Sequence, residues 1–154
     1  MVFPHYQKTQ VIKNQSPIVF IRPQDGFIKL NFDGALKGNL GPAGYGGIFR
    51  DSQGQTRWIY ADRGGIMSNN EAEFMATYQG IRIAIRNGYM KLDIEGDSNL
   101  VIKTIRKLNH GKSWEQVAKS WRKAGLIQDL KESMKRIEYK VIHHVRREGN
   151  KPAD

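Results

Sequence analysis

Near Ser68 the hydrophobic period of this chain changes, and that change limits the possible fold more than any other feature. Before it, apolar residues alternate. FIKLNFD sets Ile28, Leu30 and Phe32 on one face, the pattern of a strand. GNLGPAG follows as a turn rich in Gly and Pro. YGGIFR and TRWIYAD then read as two more strands around the turn DSQG. Strands joined by such short turns predict an antiparallel meander. After Ser68 the period lengthens to that of a helix. Ser68 or Asn69 can cap a helix that runs to about Asn87, with Gly88 as its stop.

KLDIEG is a short apolar strand, and a helix follows from Ser98 to about Leu108, with Val101, Ile105 and Leu108 on one face. From Ser113 to Met134 the pattern is helical, but its apolar phase shifts near Gly125. Trp114, Val117 and Trp121 form one stripe, and Ile127, Leu130 and Met134 another, which predicts a kink or two abutting helices. Ile137, Tyr139, Val141, His143 and Val145 alternate in a last strand. Late strands separated by helices pair in parallel through right-handed crossovers. The expected class is α/β, a mixed sheet covered by helices.

Residues 1–26 hold Pro4, Pro17 and Pro23 without a sustained period and read as a leader or linker, with a short strand expected at Ile18–Ile21. Residues 27–154 form the expected domain, a length suited to one core. No apolar run approaches a membrane span, and no secretory signal is evident at the N-terminus. The absence of cysteine excludes disulfides and thiolate metal sites and suits an intracellular, reducing compartment. The net charge is +10, and between Lys103 and Lys151 fourteen Lys or Arg face five acids. The basic C-terminal third suggests a polyanion-binding surface.

Four acids stand where folding needs none: Asp33 before Gly34 at the end of the first strand, Glu73 early in the first helix, Asp97 after KLDIEG, and Asp154. Ligands of open α/β sheets collect where strands end and helices begin. Ala76, Thr77 and Gly80 share the helix face of Glu73, and their small size lets the helix pass close over the sheet, aiming Glu73 at the strand ends. Clustered oxygen ligands without His or Cys select Mg²⁺ or Mn²⁺. Two such ions can activate water and stabilise the leaving oxygen of a phosphodiester displacement. Without a cation the carboxylates would repel and some would protonate. Singly, each acid also has a structural account: Asp33 as a turn residue, Asp97 as a helix cap, Glu73 as a charge near a helix N-terminus. Local pattern leaves both accounts open, and only the joint arrangement favours chemistry.

KLNFDGALKGNLGPAGYGGIFRDSQG, SNNEAEFMATYQGI, DIEGDSNLVIKTI and HVRREGNKPAD, in that order, resemble the type 1 ribonuclease H superfamily. The likeness is greatest to plant ribonuclease H-like domains associated with retroelement reverse transcriptases, and it covers about Phe27 to Asp154. It implies a five-stranded sheet, three strands antiparallel and then two parallel, flanked by helices. The implied activity is Mg²⁺-dependent endonucleolytic hydrolysis of the RNA strand of RNA–DNA hybrids by a monomer using two ions, with Mn²⁺ as a substitute. Matched motif by motif, Asp33, Glu73, Asp97 and Asp154 are the catalytic and metal-holding acids, and Glu71 is not. Gly34, Asn69, Asn70 and Asn99 match substrate-contacting positions, where sensing of 2′-hydroxyls separates RNA from DNA.

KSWEQVAKSWRK stands where bacterial relatives grip the DNA strand, which implies hybrid contacts for Lys112, Trp114 and Lys119. Trp114 and Trp121, seven positions apart, read more readily as core anchors. Two departures stand out. The loop RREGNKPA lacks the histidine of many bacterial members, while His143 and His144 lie on the preceding strand and are expected to be structural. The family also continues into a helix past its fourth acid, so a less firmly held Asp154 and reduced activity are expected here. The alternative is a catalytically weak or inactive nucleic-acid-binding module of the same fold. A transposase, integrase or exonuclease relative fits the NNEAE and DGALKGNLGPAG elements less well.

Overall fold

A computed structural model of the chain describes residues 21–36, 41–118 and 124–146. The alternation of FIKLNFD is realised as β1 (Ile28–Leu36), followed by β2 (Gly41–Arg50) and β3 (Thr56–Met67). These strands form the expected antiparallel meander, with Asp33 opposite Gly46 and Phe49 opposite Trp58. The β2–β3 turn closes on Asp51, whose Oδ1 accepts from the backbone N–H groups of Gln53 and Gln55 at 3.0 and 2.9 Å. Gly54, at φ 84°, completes that turn. Several boundaries differ from the sequence reading, and β1 runs on past Asp33, expected as its end, to Leu36. Gly41–Gly44, expected as turn, belong to β2, and β3 runs on through Arg63 to Met67. Backbone pairing of the two stretches with each other holds them extended despite their glycines.

The first helix, α1 (Asn69–Arg86), opens on Ser68, not Asn69. Ser68 Oγ accepts from Glu71 N at 3.2 Å, and Glu71 Oε1 accepts from Ser68 N at 3.1 Å, a reciprocal pair that closes two otherwise open helix-end groups. β4 (Lys91–Gly96) follows, then α2 (Asn99–Asn109), capped by Ser98. The phase shift between Trp114 and Met134 marks two helices, α3 (Trp114–Ala118) and α4 (Ala124–Met134). β5 (Tyr139–His144) ends the sheet, whose order is β3-β2-β1-β4-β5. β1, β4 and β5 pair in parallel, as strands separated by helices must. The expected strand at Ile18–Ile21 falls largely outside the described residues. Among the described residues, no helix is long and apolar enough to cross a membrane.

Alternation along β1 and β4 divides the sheet chemically. Leu30, Phe32, Leu92 and Ile94 join the core with Ala76 and Ile81 of α1, Ile102 and Ile105 of α2, and Ile127 and Leu130 of α4. Lys29, Asn31, Asp93 and Glu95 project from the intervening positions.

α1 lies close to the sheet because its inner residues are small. Tyr60 Oη donates to the Ala76 carbonyl at 2.6 Å, and a Cβ at Gly80 would sit 2.6 Å from Tyr60 Oη and 2.7 Å from Leu30 Cδ2. Gly→Ala inside a helix ordinarily stabilises by about 1 kcal/mol. Here Leu30 is fully buried and Tyr60 is tied down, so overpacking wins. Gly80→Ala should lower stability by about 1–2 kcal/mol in urea unfolding, where a rise would show that the interface yields.

Candidate metal centre

The β1–β4 ladder runs from Ile28 opposite Leu92 to Asn31 opposite Glu95 and goes no further. Asp33 and Asp97 each follow that last pair by two positions, so they flank the place where the two strands cease to pair. Asp33 lies inside β1 and not in a turn, which removes its structural account. Asp97 is not the cap of α2, because Ser98 Oγ takes that role, accepting from Val101 N at 3.3 Å. The favourable charge in the first turn of α1 belongs to Glu71. The folding duties open to the three acids are thus carried by their neighbours.

Glu73 is 7% exposed and reaches down from α1 to β1, where its Oε1 accepts from the backbone N–H of Gly34. Thr77, one turn on, donates to the Glu73 carbonyl at 2.9 Å. The approach of helix to strand needs a glycine, for a Cβ at Gly34 would lie 2.7 Å from Glu73 N and 2.8 Å from the Ala72 carbonyl carbon. Asp33, Glu73 and Asp97 each offer a carboxylate oxygen, and those oxygens all lie within 4.8 Å of one another. The donor set is entirely oxygen and anionic, with Glu73 buried and both aspartates half-buried. Such a set suits a hard divalent ion.

The remaining positions fall as follows. Asn69 and Asn70 are exposed in the first turn of α1, at the same end of the helix as Glu73, and Asn99 is exposed at the start of α2. Lys112 is exposed, and its carbonyl accepts from Lys131 Nζ at 2.8 Å. Trp114 is half-buried and packs against the core. Lys119 and Asp154 lie outside the described residues. His144, at the end of β5, donates through Nε2 to the Asp97 carbonyl at 3.0 Å.

A family model described as reverse transcriptase-like matches residues 31–154, most of the chain. A ribonuclease H of Chromobacterium violaceum is 31% identical over 135 residues, which span 82% of this chain and 89% of that protein. The chain belongs to the ribonuclease H-like superfamily. A protein of Arabidopsis thaliana described as a ribonuclease H protein is 32% identical over 85 residues, 55% of this chain, yet the chain spans only 14% of that protein's length. Among solved structures, LC11-RNase H1 in complex with an RNA/DNA hybrid aligns with a TM-score of 0.60 and 26% identity, covering 80% of this chain and 88% of that one.

This ribonuclease H-like chain also holds a cluster that sequence reasoning missed. Lys29, fully buried, lies 2.8 Å from Glu95 and 3.8 Å from Asp93, and it donates to the Ile21 carbonyl. Asn31 Nδ2 donates to Glu95 Oε1 at 2.7 Å. His143 bonds to Asp93, with Glu95 3.4 Å away. Burial pulls the Arg50 guanidinium below its ordinary value, and the Glu95 carboxylate opposes that shift. The signal was present as two polar rows, Lys29, Asn31, Asp33 and Lys91, Asp93, Glu95, Asp97. Only the β1–β4 register, which periodicity does not supply, sets lysine against aspartate.

Gly34→Ala should show how tight the helix–strand approach is. The added methyl meets backbone atoms of α1, so relief requires the helix to move. A loss of about 2–3 kcal/mol is expected in urea unfolding, and unchanged stability would mean that α1 does not press on β1.

Proposed function

We propose that this chain hydrolyses the RNA strand of RNA–DNA hybrids, with Asp33, Glu73 and Asp97 holding two Mg²⁺ ions. Asp154, which closes the GNKPAD motif, joins them. The observation that carries this reading is the convergence of three carboxylates from β1, α1 and the end of β4 in a chain of this superfamily. When bound, the ions supply Lewis-acid polarisation of the phosphodiester and the charge that offsets the acids. The chain's part is placement. Gly34 N–H fixes one oxygen of Glu73, and His144 holds the backbone of Asp97. A carboxylate whose rotamer is held in this way loses little entropy when it takes up a ligand.

Asn69 and Asn70, exposed beside the carboxylates, are the groups we assign to the 2′-hydroxyls of the RNA strand. Gly34 and Asn99 complete that contact. Lys112, Trp114 and Lys119 are assigned to the DNA strand, where the lysines meet phosphates and give salt-sensitive affinity. The hybrid bound by LC11-RNase H1 supports the choice of substrate. A monomer suffices, since all the proposed acids lie on one chain.

The test incubates the chain with labelled RNA–DNA hybrid, with and without Mg²⁺, beside duplex RNA and duplex DNA. Cleavage confined to the RNA strand and dependent on metal is expected. Asp97→Asn should lower the rate by about a thousandfold or more while leaving the urea midpoint nearly unchanged. Wild-type rates in that variant would refute the site. Tight hybrid binding without cutting in Mg²⁺ or Mn²⁺ would identify a binding module instead.

A further inference from the structure

The polar cluster behind the carboxylates resembles a metal site in composition, with Asp93, Glu95 and His143 offering ligand atoms within 4.8 Å of one another. Its geometry argues otherwise. The Lys29 ammonium already lies 2.8 Å from Glu95 and 3.8 Å from Asp93, so the cluster carries its own cation, fully buried and covalently tethered. A divalent ion would have to enter against that charge.

What the cluster does follows from its place on the strands. Lys29 stands opposite Asp93 and Asn31 opposite Glu95 across the parallel β1–β4 ladder, and the ladder stops there. Asp33 comes next on the same side of β1, because side chains two apart share a face, and Asp97 follows Glu95 by two positions, just past the end of β4. The hydrogen bond from Asn31 Nδ2 to Glu95 Oε1, 2.7 Å, is therefore the last side-chain tie between β1 and β4 before the carboxylates. Glu95 cannot drift from it, since Lys29 holds its other oxygen and His143 of β5 approaches within 3.4 Å. Asn31 gives up something to make this bond: its Oδ1 is buried with no hydrogen-bond partner among the described residues. A buried acceptor left unmet is destabilising, and an apolar residue here would remove that oxygen while leaving Glu95 Oε1 without its Asn31 donor, so the two effects on folding oppose each other.

We propose that Asn31 and Glu95 are positioning residues that set the separation of Asp33 and Asp97, with Lys29 as the internal cation that keeps Glu95 in place. This rests on the reading of the three carboxylates as the metal-holding site. Neither residue touches the reacting atoms; each acts through the spacing of the strand ends.

The variants are Asn31→Leu, which preserves volume and removes the tie, and Asn31→Ala, which removes the tie with less side chain. Each is read by urea unfolding and by direct Mn²⁺ binding in titration calorimetry on the full chain, without nucleic acid, beside wild type and Asp97→Asn. Asn31→Leu should keep a cooperative urea transition with a midpoint at or below that of wild type, and bind Mn²⁺ about fivefold to tenfold more weakly, at or just below the usual cost of losing a supporting residue around a metal site. Asn31→Ala should weaken binding to the same extent whatever its stability. Mn²⁺ affinity equal to wild type in both variants, with Asp97→Asn still defective, overturns the positioning role and leaves the site standing. A wild-type chain that binds no Mn²⁺, or binds it unchanged in Asp97→Asn, overturns both.

Discussion

The contact between α1 and β1 at Gly34 is the constraint on which the rest of the site depends. A helix normally keeps its distance from a sheet because side chains stand between them. Here the strand contributes a hydrogen atom in place of a side chain, and the helix presents its own backbone at Ala72 and Glu73. The helix can then bring a glutamate to the level of the strand backbone. A buried carboxylate is costly unless it is hydrogen-bonded, and the Gly34 N–H meets part of that cost. The glycine thus admits the helix and satisfies the acid that the helix delivers.

The opposite polar row solves a different problem with different chemistry. Parallel strands connected through a helix have no hairpin to fix their register. In β1 and β4 the apolar residues face the core, and any shift by two positions would keep them there. The polar row narrows that freedom. A slip that set Lys29 opposite Lys91 would oppose like charges, whereas the observed alignment brings Lys29 to Glu95 and Asp93 and Asn31 to Glu95. Buried ion pairs contribute little net stability against apolar replacements, so the apolar face of the sheet carries most of its stability.

Much of this was legible in the sequence, and for identifiable reasons. The meander, the helices and the parallel late strands follow from period and punctuation. The joint position of Asp33, Glu73 and Asp97 was expected from strand ends and a small-residue helix face, although Asp33 stands inside β1, just beyond where its pairing with β4 stops. The strand ends were not legible: Gly41–Gly44 carry turn composition but are held extended by pairing with β3 and, at Ala43 and Gly44, with β1 as well. Ser68 and Asn69 were equal candidates for the cap until Glu71 closed the reciprocal bond with Ser68. The Lys29–Glu95 network was hidden because both partners look like ordinary solvated charges on alternating strands. Charge pairing across parallel strands is a property of register, and register appears only in three dimensions.

The ladder between β1 and β4 has a consequence for the order in which this molecule assembles. Asn31 and Glu95 are 64 positions apart, and the whole meander edge and α1 lie between them. Joining them means closing a long loop, an entropic toll repaid only when the intervening elements are already in place. Asp33 and Asp97 are brought together by that same closure. No nascent chain shorter than β4 holds this trio of acids, and no local helix or hairpin can imitate it. The three-carboxylate cluster is therefore a property of the assembled pairing of β1 with β4 beneath α1, and of no shorter piece of the chain.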